Sequence, residues 1–148
     1  AVEITATASE ALKSGNYDVV RINFPNGDMV GHTGDFKACV ASMEAVDVAL
    51  AKLEEVVNEV GGTFLITADH GNADDMVQRD KKGKPLRNQD GKPVPLTSHT
   101  LAPVPVIVGG SGLPADVKLR ADVANAGLAN VTATFMNLMG FAAPADYE

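Results

Sequence analysis

Apolar residues recur at intervals of three or four over residues 36–60, which predicts the longest helix of the chain. Asp35 is a suitable N-cap for this helix, and Gly61 and Gly62 would end it. A second helix is predicted over residues 2–13, where Ala and Glu are frequent and a glycine follows shortly after. The periodic positions of the long helix are Phe36, Val40, Met43, Val46, Leu50, Leu53, Val57 and Val60.

Short runs rich in β-branched residues are typical of strands, and they occur at residues 18–24, 63–67 and 103–108. Because the long helix separates the first two runs, we expect them to be parallel neighbours joined by a right-handed crossover. Prolines in the third run favour a sheet edge or the start of a strand. A last helix is predicted over residues 131–139 with Asn130 as its cap. The alternation of strands and helices indicates an α/β fold.

The segment 78–95 is charged and lacks apolar periodicity. It predicts an exposed excursion with a hairpin turn over residues 88–91. No internal repeat is evident from the sequence. A cluster of basic side chains in this excursion could touch an anionic substrate, but we favour a solvated loop. The cluster comprises Arg79, Lys81, Lys82, Lys84, Arg87 and Lys92.

Length and composition restrict the class of protein. A chain of 148 residues with 45% hydrophobic residues can build one core, so we predict a single domain over residues 1–148. The net charge of -7 argues against nucleic-acid binding, and the apolar runs are too short to span a membrane.

Cys39 is the single cysteine, which favours a reducing, cytoplasmic location. It lies on the apolar face of the long helix and is expected in the core. The chain begins without Met and enters a predicted helix at once, which points to a piece of a longer protein.

The three histidines all lie near an end of a predicted strand. His32 and His70 follow the first and second strands, and His99 precedes the third, so the excursion must deliver it. In open α/β sheets, ligands bind outside the carboxyl ends of the strands. Two of these histidines have a nearby carboxylate: Asp28 lies four residues before His32, and Asp69 is adjacent to His70.

These donors have the chemistry of a metal site. Imidazole nitrogen and carboxylate oxygen without thiolate suit Mn²⁺, Zn²⁺, Co²⁺ or Fe²⁺. Two such ions roughly 3.5–4 Å apart would polarise a phosphoryl oxygen and lower the pKa of a bound hydroxyl. A lone histidine is more often a surface or core residue, whereas Asp-His-Gly after a strand is a stronger indication. Ser98 is interpreted as a loop hydroxyl rather than a nucleophile, since an activated serine needs a base or a metal within reach.

Three motifs occur in order: Asn-Phe-Pro-Asn-Gly-Asp-Met-Val-Gly-His-Thr-Gly at residues 23–34, Thr-Ala-Asp-His-Gly-Asn-Ala at residues 67–73, and Thr-Ser-His-Thr at residues 97–100. They resemble the motifs of the cofactor-independent phosphoglycerate mutases, members of the alkaline phosphatase superfamily. The resemblance covers essentially the whole chain. The excursion is similar to that of the plant, nematode and trypanosomatid branch.

The resemblance implies a three-layer α/β/α fold of the alkaline phosphatase type, of which this chain is an incomplete, C-terminal part. It implies that Asp28, His32 and His99 bind one divalent metal ion and that Asp69 and His70 bind a second. Mn²⁺ is expected, with Mg²⁺ or Co²⁺ as alternatives. The family interconverts 3-phosphoglycerate and 2-phosphoglycerate through a phosphoserine in glycolysis. The parent enzyme is expected to be a cytoplasmic monomer.

The family's nucleophilic serine, a further metal-binding aspartate, the inserted transferase domain and a substrate-binding lysine are expected in segments that this sequence does not contain. No catalytic residue is therefore assigned in this chain, and the chain alone is expected to be inactive. Two alternatives stay open: a stand-alone metal-binding module, and a metal-dependent phosphatase of the same superfamily that uses a metal-bound hydroxide.

Overall fold

The computed structural model of the chain describes residues 1–147 and begins with three helices. They are α1 (Val2–Ser14), α2 (Asn26–Gly31) and α3 (Phe36–Glu59), and α3 packs against both of the others. The predicted ends of the two longer helices are confirmed. Gly15 closes α1 with a φ of 68°, a conformation that glycine adopts without strain. At the start of α3, the Asp35 carboxylate accepts a hydrogen bond of 3.0 Å from the Ala38 backbone N–H.

The core lies on one side of α3. Leu53 and Val57, two of the predicted periodic positions, are buried there, and so is Cys39, as the sequence predicted. Phe36 and Met43, from the same periodic set, are 68% and 43% exposed. Part of the apolar stripe of α3 is therefore uncovered within the described residues. This agrees with a fold that is incomplete in this chain.

The sheet consists of β1 (Phe64–Thr67) and β2 (Val106–Gly109), paired antiparallel with Phe64 opposite Gly109. Gly109 leaves room for the Phe64 ring, since a Cβ there would lie 3.0 Å from Cε2 of that ring. The prolines predicted to favour a strand start do lie ahead of β2. The described residues thus combine helices with a sheet, in agreement with the mixed composition that the sequence predicted.

The first predicted strand and its parallel pairing are wrong. Residues 18–24 have no regular secondary structure, although exposure alternates from Val20 to Phe24 as in a half-covered strand. A strand exists only where a neighbouring strand supplies backbone hydrogen bonds. Within residues 1–147 no such bond pairs this segment with another. The alternating exposure is present without a strand, because no neighbouring strand lies among the described residues.

The excursion contains two turns rather than one hairpin. Asp80 and Lys84 close the first through a backbone hydrogen bond of 2.9 Å, and Asn88 and Lys92 close the second in the same way. In both turns the first residue also accepts two backbone N–H groups on its side-chain oxygen. The predicted turn at residues 88–91 is confirmed, and an equivalent turn precedes it.

The two turns belong to an eight-residue repeat that the sequence analysis missed. Residues 79–86 read Arg-Asp-Lys-Lys-Gly-Lys-Pro-Leu, and residues 87–94 read Arg-Asn-Gln-Asp-Gly-Lys-Pro-Val. A closed ring of three backbone hydrogen bonds, of 2.8–3.0 Å, joins residues that lie one repeat apart. Gln78 N–H donates to the carbonyl of Val94, Val94 N–H to that of Leu86, and Leu86 N–H to that of Gln78. The expectation of no repeat is wrong because a repeat of two short units leaves little periodic signal in a polar segment.

The chain forms two compact units, Ala1–Gly112 and Leu113–Glu148. The second contains α4 (Ala129–Leu138) and a 3₁₀ turn (Ala145–Tyr147). Asn130 lies inside α4 rather than capping it, because its side-chain oxygen accepts the Gly127 N–H at 2.8 Å, ahead of the helix. In the described part of the chain, no helix combines the length and apolar character that a membrane span requires.

Candidate metal centre

The short helix α2 places the first two candidate ligands on one face. Pro25 precedes it with a φ of -76°, which suits a helix start. Asp28 lies in its first turn, and His32 caps its end. Since residues four apart on a helix are neighbours, Oδ1 of Asp28 lies 3.0 Å from Nε2 of His32. One helical turn can therefore aim both side chains at one ion.

A backbone carbonyl fixes the orientation of the His32 ring. Its Nδ1 lies 2.6 Å from the backbone carbonyl oxygen of Thr97. A carbonyl can only accept, so Nδ1 is the donor of this contact, and Nε2 is the ring nitrogen that faces Asp28. Hydrogen bonding of the second ring nitrogen to a carbonyl is the usual way in which a metal-binding histidine is oriented.

His70 follows β1 as predicted, and its Nε2 lies 3.9 Å from Oδ1 of Asp28. The neighbouring Asp69 is different, because its side chain is 90% exposed. Its Oδ1 lies 3.7 Å from His70 Nε2. Asp69 therefore lies at the solvent side of the cluster, in contact with His70.

The excursion delivers His99 to the same place. Nε2 of His99 lies 3.0 Å from Oδ1 of Asp28. The His99 ring stacks on the His70 ring, with centroids 3.7 Å apart and planes inclined by 16°. The ring of His32 lies 5.1 Å from that of His99. All three histidines thus surround one carboxylate oxygen.

This arrangement has the donor set of a divalent-metal site. Ligand atoms of Asp28, His70 and His99 lie within 4.8 Å of one another, and His32 contacts the same Asp28 oxygen. Three imidazoles with a carboxylate fit Mn²⁺, Co²⁺ or Zn²⁺. His70, predicted for a second ion, is also drawn towards Asp28, so these distances alone do not divide the residues into two sites.

The charge of Asp28 is stabilised by its surroundings. The pKa of its carboxyl is lowered, first by a hydrogen bond that the Asn72 side chain donates to it. Partial desolvation acts in the opposite direction, and nearby His32, His99 and His70 lower the pKa further. Asp28 is therefore held as the carboxylate, the form that binds a cation.

Two more polar residues tie the motif loops together. The Thr100 hydroxyl donates to both carboxylate oxygens of Asp74, at 2.9 and 2.8 Å. The Thr100 backbone N–H donates to the Gly71 carbonyl at 2.9 Å. Because Gly71 follows His70 and Thr100 follows His99, this clip between Asp74 and Thr100 holds the two stacked histidines together.

Sequence reasoning assigned no role to Asn72, Asp74 or Thr100. Asn72 and Thr100 lie inside the quoted motifs, next to or near a histidine, and this proximity is the signal that could have drawn attention to them. The partners of all three become visible only when distant segments meet. Ser98 is exposed, which fits its interpretation as a loop residue.

A family model described as the metalloenzyme superfamily matches residues 1–143. The chain is 68% identical over 146 residues to a 2,3-bisphosphoglycerate-independent phosphoglycerate mutase of Trypanosoma brucei brucei, covering 99% of this chain and 26% of that relative. A probable mutase of the same kind from Arabidopsis thaliana is 55% identical over 148 residues, again with 26% of its length covered.

A solved structure gives the same result. The chain is similar to a structure of Leishmania mexicana phosphoglycerate mutase at low cobalt concentration, with a TM-score of 0.97 and 65% identity. The match covers 99% of this chain and 27% of that one. The chain thus spans about a quarter of the length of the relatives it matches.

Proposed function

Because this chain belongs to the metalloenzyme superfamily, we propose that it is the metal-binding part of a cofactor-independent phosphoglycerate mutase. The whole enzyme would interconvert 3-phosphoglycerate and 2-phosphoglycerate in glycolysis through a phosphoserine. The observation that carries the proposal is the convergence of Asp28, His70 and His99 within 4.8 Å. The 68% identity to a trypanosome mutase supports the same reaction.

The proposed cofactors are two divalent cations, with Mn²⁺ as the best match and Mg²⁺ or Co²⁺ as alternatives. We assign Asp28, His32 and His99 to one cation and Asp69 and His70 to the other. The mixed nitrogen and oxygen donors support Mn²⁺ over a purely oxygen-preferring ion. When bound, such cations would neutralise phosphoryl charge and lower the pKa of an attacking hydroxyl.

The residues of the chain prepare this site before any substrate arrives. Thr97 holds His32 with Nε2 on the side of Asp28. Asp28 stays ionised beside Asn72. The exposed carboxylate of Asp69 remains accessible from solvent, which suits a role next to an incoming phosphate and its cation. Preformed donors of this kind reduce the reorganisation needed during phosphoryl transfer.

We also propose that the chain alone binds metal without catalysing the mutase reaction. It spans about a quarter of the length of its relatives, and the resemblance implies a nucleophilic serine in the remainder. Without that hydroxyl no phosphoserine forms. The enzyme that contains this chain is proposed to be a cytoplasmic monomer. Cys39 is a buried free cysteine, which supports the compartment. Light scattering during gel filtration tests the monomer.

Phosphorus NMR of phosphoglycerate incubated with Mn²⁺ tests the function. We expect the complete enzyme to interconvert the two isomers and the 148-residue chain to bind Mn²⁺ without turnover. Asp69→Ala should reduce the activity of the complete enzyme at least ten-fold, whereas Asp116→Ala, at another exposed aspartate, should not. Failure of the wild-type chain to bind any divalent ion would overturn the proposal. Release of free phosphate by the chain alone would favour the phosphatase alternative.

A further inference from the structure

Asn72 connects the second motif to the first. It lies two residues after His70, and only 5% of its surface is exposed. Its side-chain Nδ2 donates to Oδ1 of Asp28 at 2.8 Å and to the Asp28 backbone carbonyl at 3.3 Å. A single amide therefore binds both the side chain and the main chain of one residue in α2.

The amide is held in place by close packing. Gly31, a buried glycine of α2, faces it, and a Cβ at that position would lie 2.8 Å from Cγ of Asn72. A larger residue at Gly31 would therefore displace the amide. The absence of a side chain at Gly31 is what lets the helix backbone approach Asn72.

The orientation of the amide follows from its surroundings. Among the described residues, Oδ1 of Asn72 is a buried side-chain oxygen without a hydrogen-bond partner. Turning the amide over would place this oxygen against the Asp28 carboxylate and repel it. The donor end therefore faces Asp28, although leaving Oδ1 unpaired has a free-energy cost.

We propose that Asn72 is a positioning residue that holds one oxygen of Asp28 in the centre of the three histidines. The oxygen that accepts from Asn72 is the same Oδ1 that lies 3.0 Å from Nε2 of both His32 and His99. Because the amide is neutral, it orients this carboxylate without neutralising the charge that would attract a cation. The inference rests on the proposed function for the identity of the ligand, but the carboxylate geometry exists without it.

The test compares Asn72→Leu, which has similar size but no donor, with Asn137→Leu at an exposed position of α4. In titrations of the full chain with Mn²⁺, we expect Asn72→Leu to weaken binding about 10- to 100-fold and Asn137→Leu to leave it unchanged. The visible absorption of bound Co²⁺ reports ligand geometry, and it should change only in Asn72→Leu. Mn²⁺ affinity within two-fold of wild type, with an unchanged Co²⁺ spectrum, would overturn the inference.

A second readout is independent of the metal. In a metal-free crystal structure of Asn72→Leu, Oδ1 of Asp28 should move away from His32 and His99, and a carboxylate left in place would overturn the inference. If the wild-type chain binds no metal, the proposed function fails. The position of the Asp28 carboxylate in the metal-free crystal structure still tests the role of Asn72. If Asn72→Leu does not fold, Gly31→Ala displaces the amide from the other side, and the same measurements then apply to it.

Discussion

His70 and His99 stack with their ring centroids 3.7 Å apart, although the whole double-turn excursion lies between them in sequence. The clip formed by Asp74 and Thr100 explains how this contact is maintained. The backbone bond from Thr100 to Gly71 lies directly beside the two rings. The distance between the two histidine rings is therefore set by the residues that follow them, and mutation of these residues tests this.

Thr100→Val should lower the free energy of unfolding by about 1 kcal/mol, because it removes the hydroxyl but keeps the shape of the side chain. Asp74→Ala, which removes both acceptor oxygens, should cost a similar amount. Urea unfolding of both single variants and the double variant measures their coupling, which we expect at about 0.5–1.5 kcal/mol. Additive effects would show that the two side chains do not act together. Thr132→Val, at an exposed position of α4, is the control.

Gly71→Ala should disturb the same clip more strongly. The nearest atoms that a Cβ at Gly71 would meet are the Thr100 hydroxyl oxygen and a carboxylate oxygen of Asp74, so one of these groups must move. We expect weaker Mn²⁺ binding together with a loss of roughly 1–3 kcal/mol in stability. At Gly127 the nearest atom would be 3.9 Å away, and Gly127→Ala should therefore leave metal affinity at its wild-type value. Equal metal affinities in the two variants would contradict the clip.

The Asp75–Arg79 pair predicts a pH-dependent difference in stability. The pKa of Asp75 is lowered, first by the Arg79 guanidinium, which donates at 2.9 and 3.2 Å, and then by the Val77 N–H. A lowered folded pKa stabilises the fold above the unfolded value of about 3.9. This contribution is lost as the pH falls through the folded pKa.

Arg79→Gln should therefore be less stable than wild type at pH 7, and the difference should shrink as the pH is lowered below about 4. Guanidinium chloride would screen the pair, so unfolding should be followed in urea. Lys81→Gln removes a charge from the same excursion and leaves the pair intact. A difference that grows towards acid would contradict the assignment.

The two turns of the excursion should respond equally to the same substitution. Gly83 and Gly91 have φ values of 79° and 75°, and an alanine in this conformation costs about 1–2 kcal/mol. Gly83→Ala and Gly91→Ala should therefore lower the unfolding free energy by similar amounts in thermal or urea melts. A large effect at one turn and none at the other would show that the two turns do not contribute equally to stability.

The parts of the fold that sequence could predict are those encoded locally. The cap at Asp35 and the apolar period of α3 depend on neighbouring residues, and both were found correctly. The strand predicted at residues 18–24 depends on a partner elsewhere, and local alternation could not reveal that the described chain supplies none. Antiparallel pairing of β1 with β2 was not predicted for the same reason.

The candidate site shows a similar division. The three histidines and Asp28 could be selected because their residue types and positions near strand ends are typical of metal ligands, and the structure brings them together. Asn72 could not be selected in this way, since its role depends on a partner 44 residues away. Residues that support ligands are recognised by contacts, which a single sequence does not contain.

The repeat in the excursion bears on how such loops change length. Gln78, Leu86 and Val94 lie eight residues apart and bond to one another through the backbone. If one eight-residue unit were removed, the two remaining residues would still offer each other a backbone N–H and a carbonyl. Leu96 remains bonded to Met76 below that point. Insertion or deletion of a whole unit would thus alter the outer surface of the excursion while the histidines keep their register.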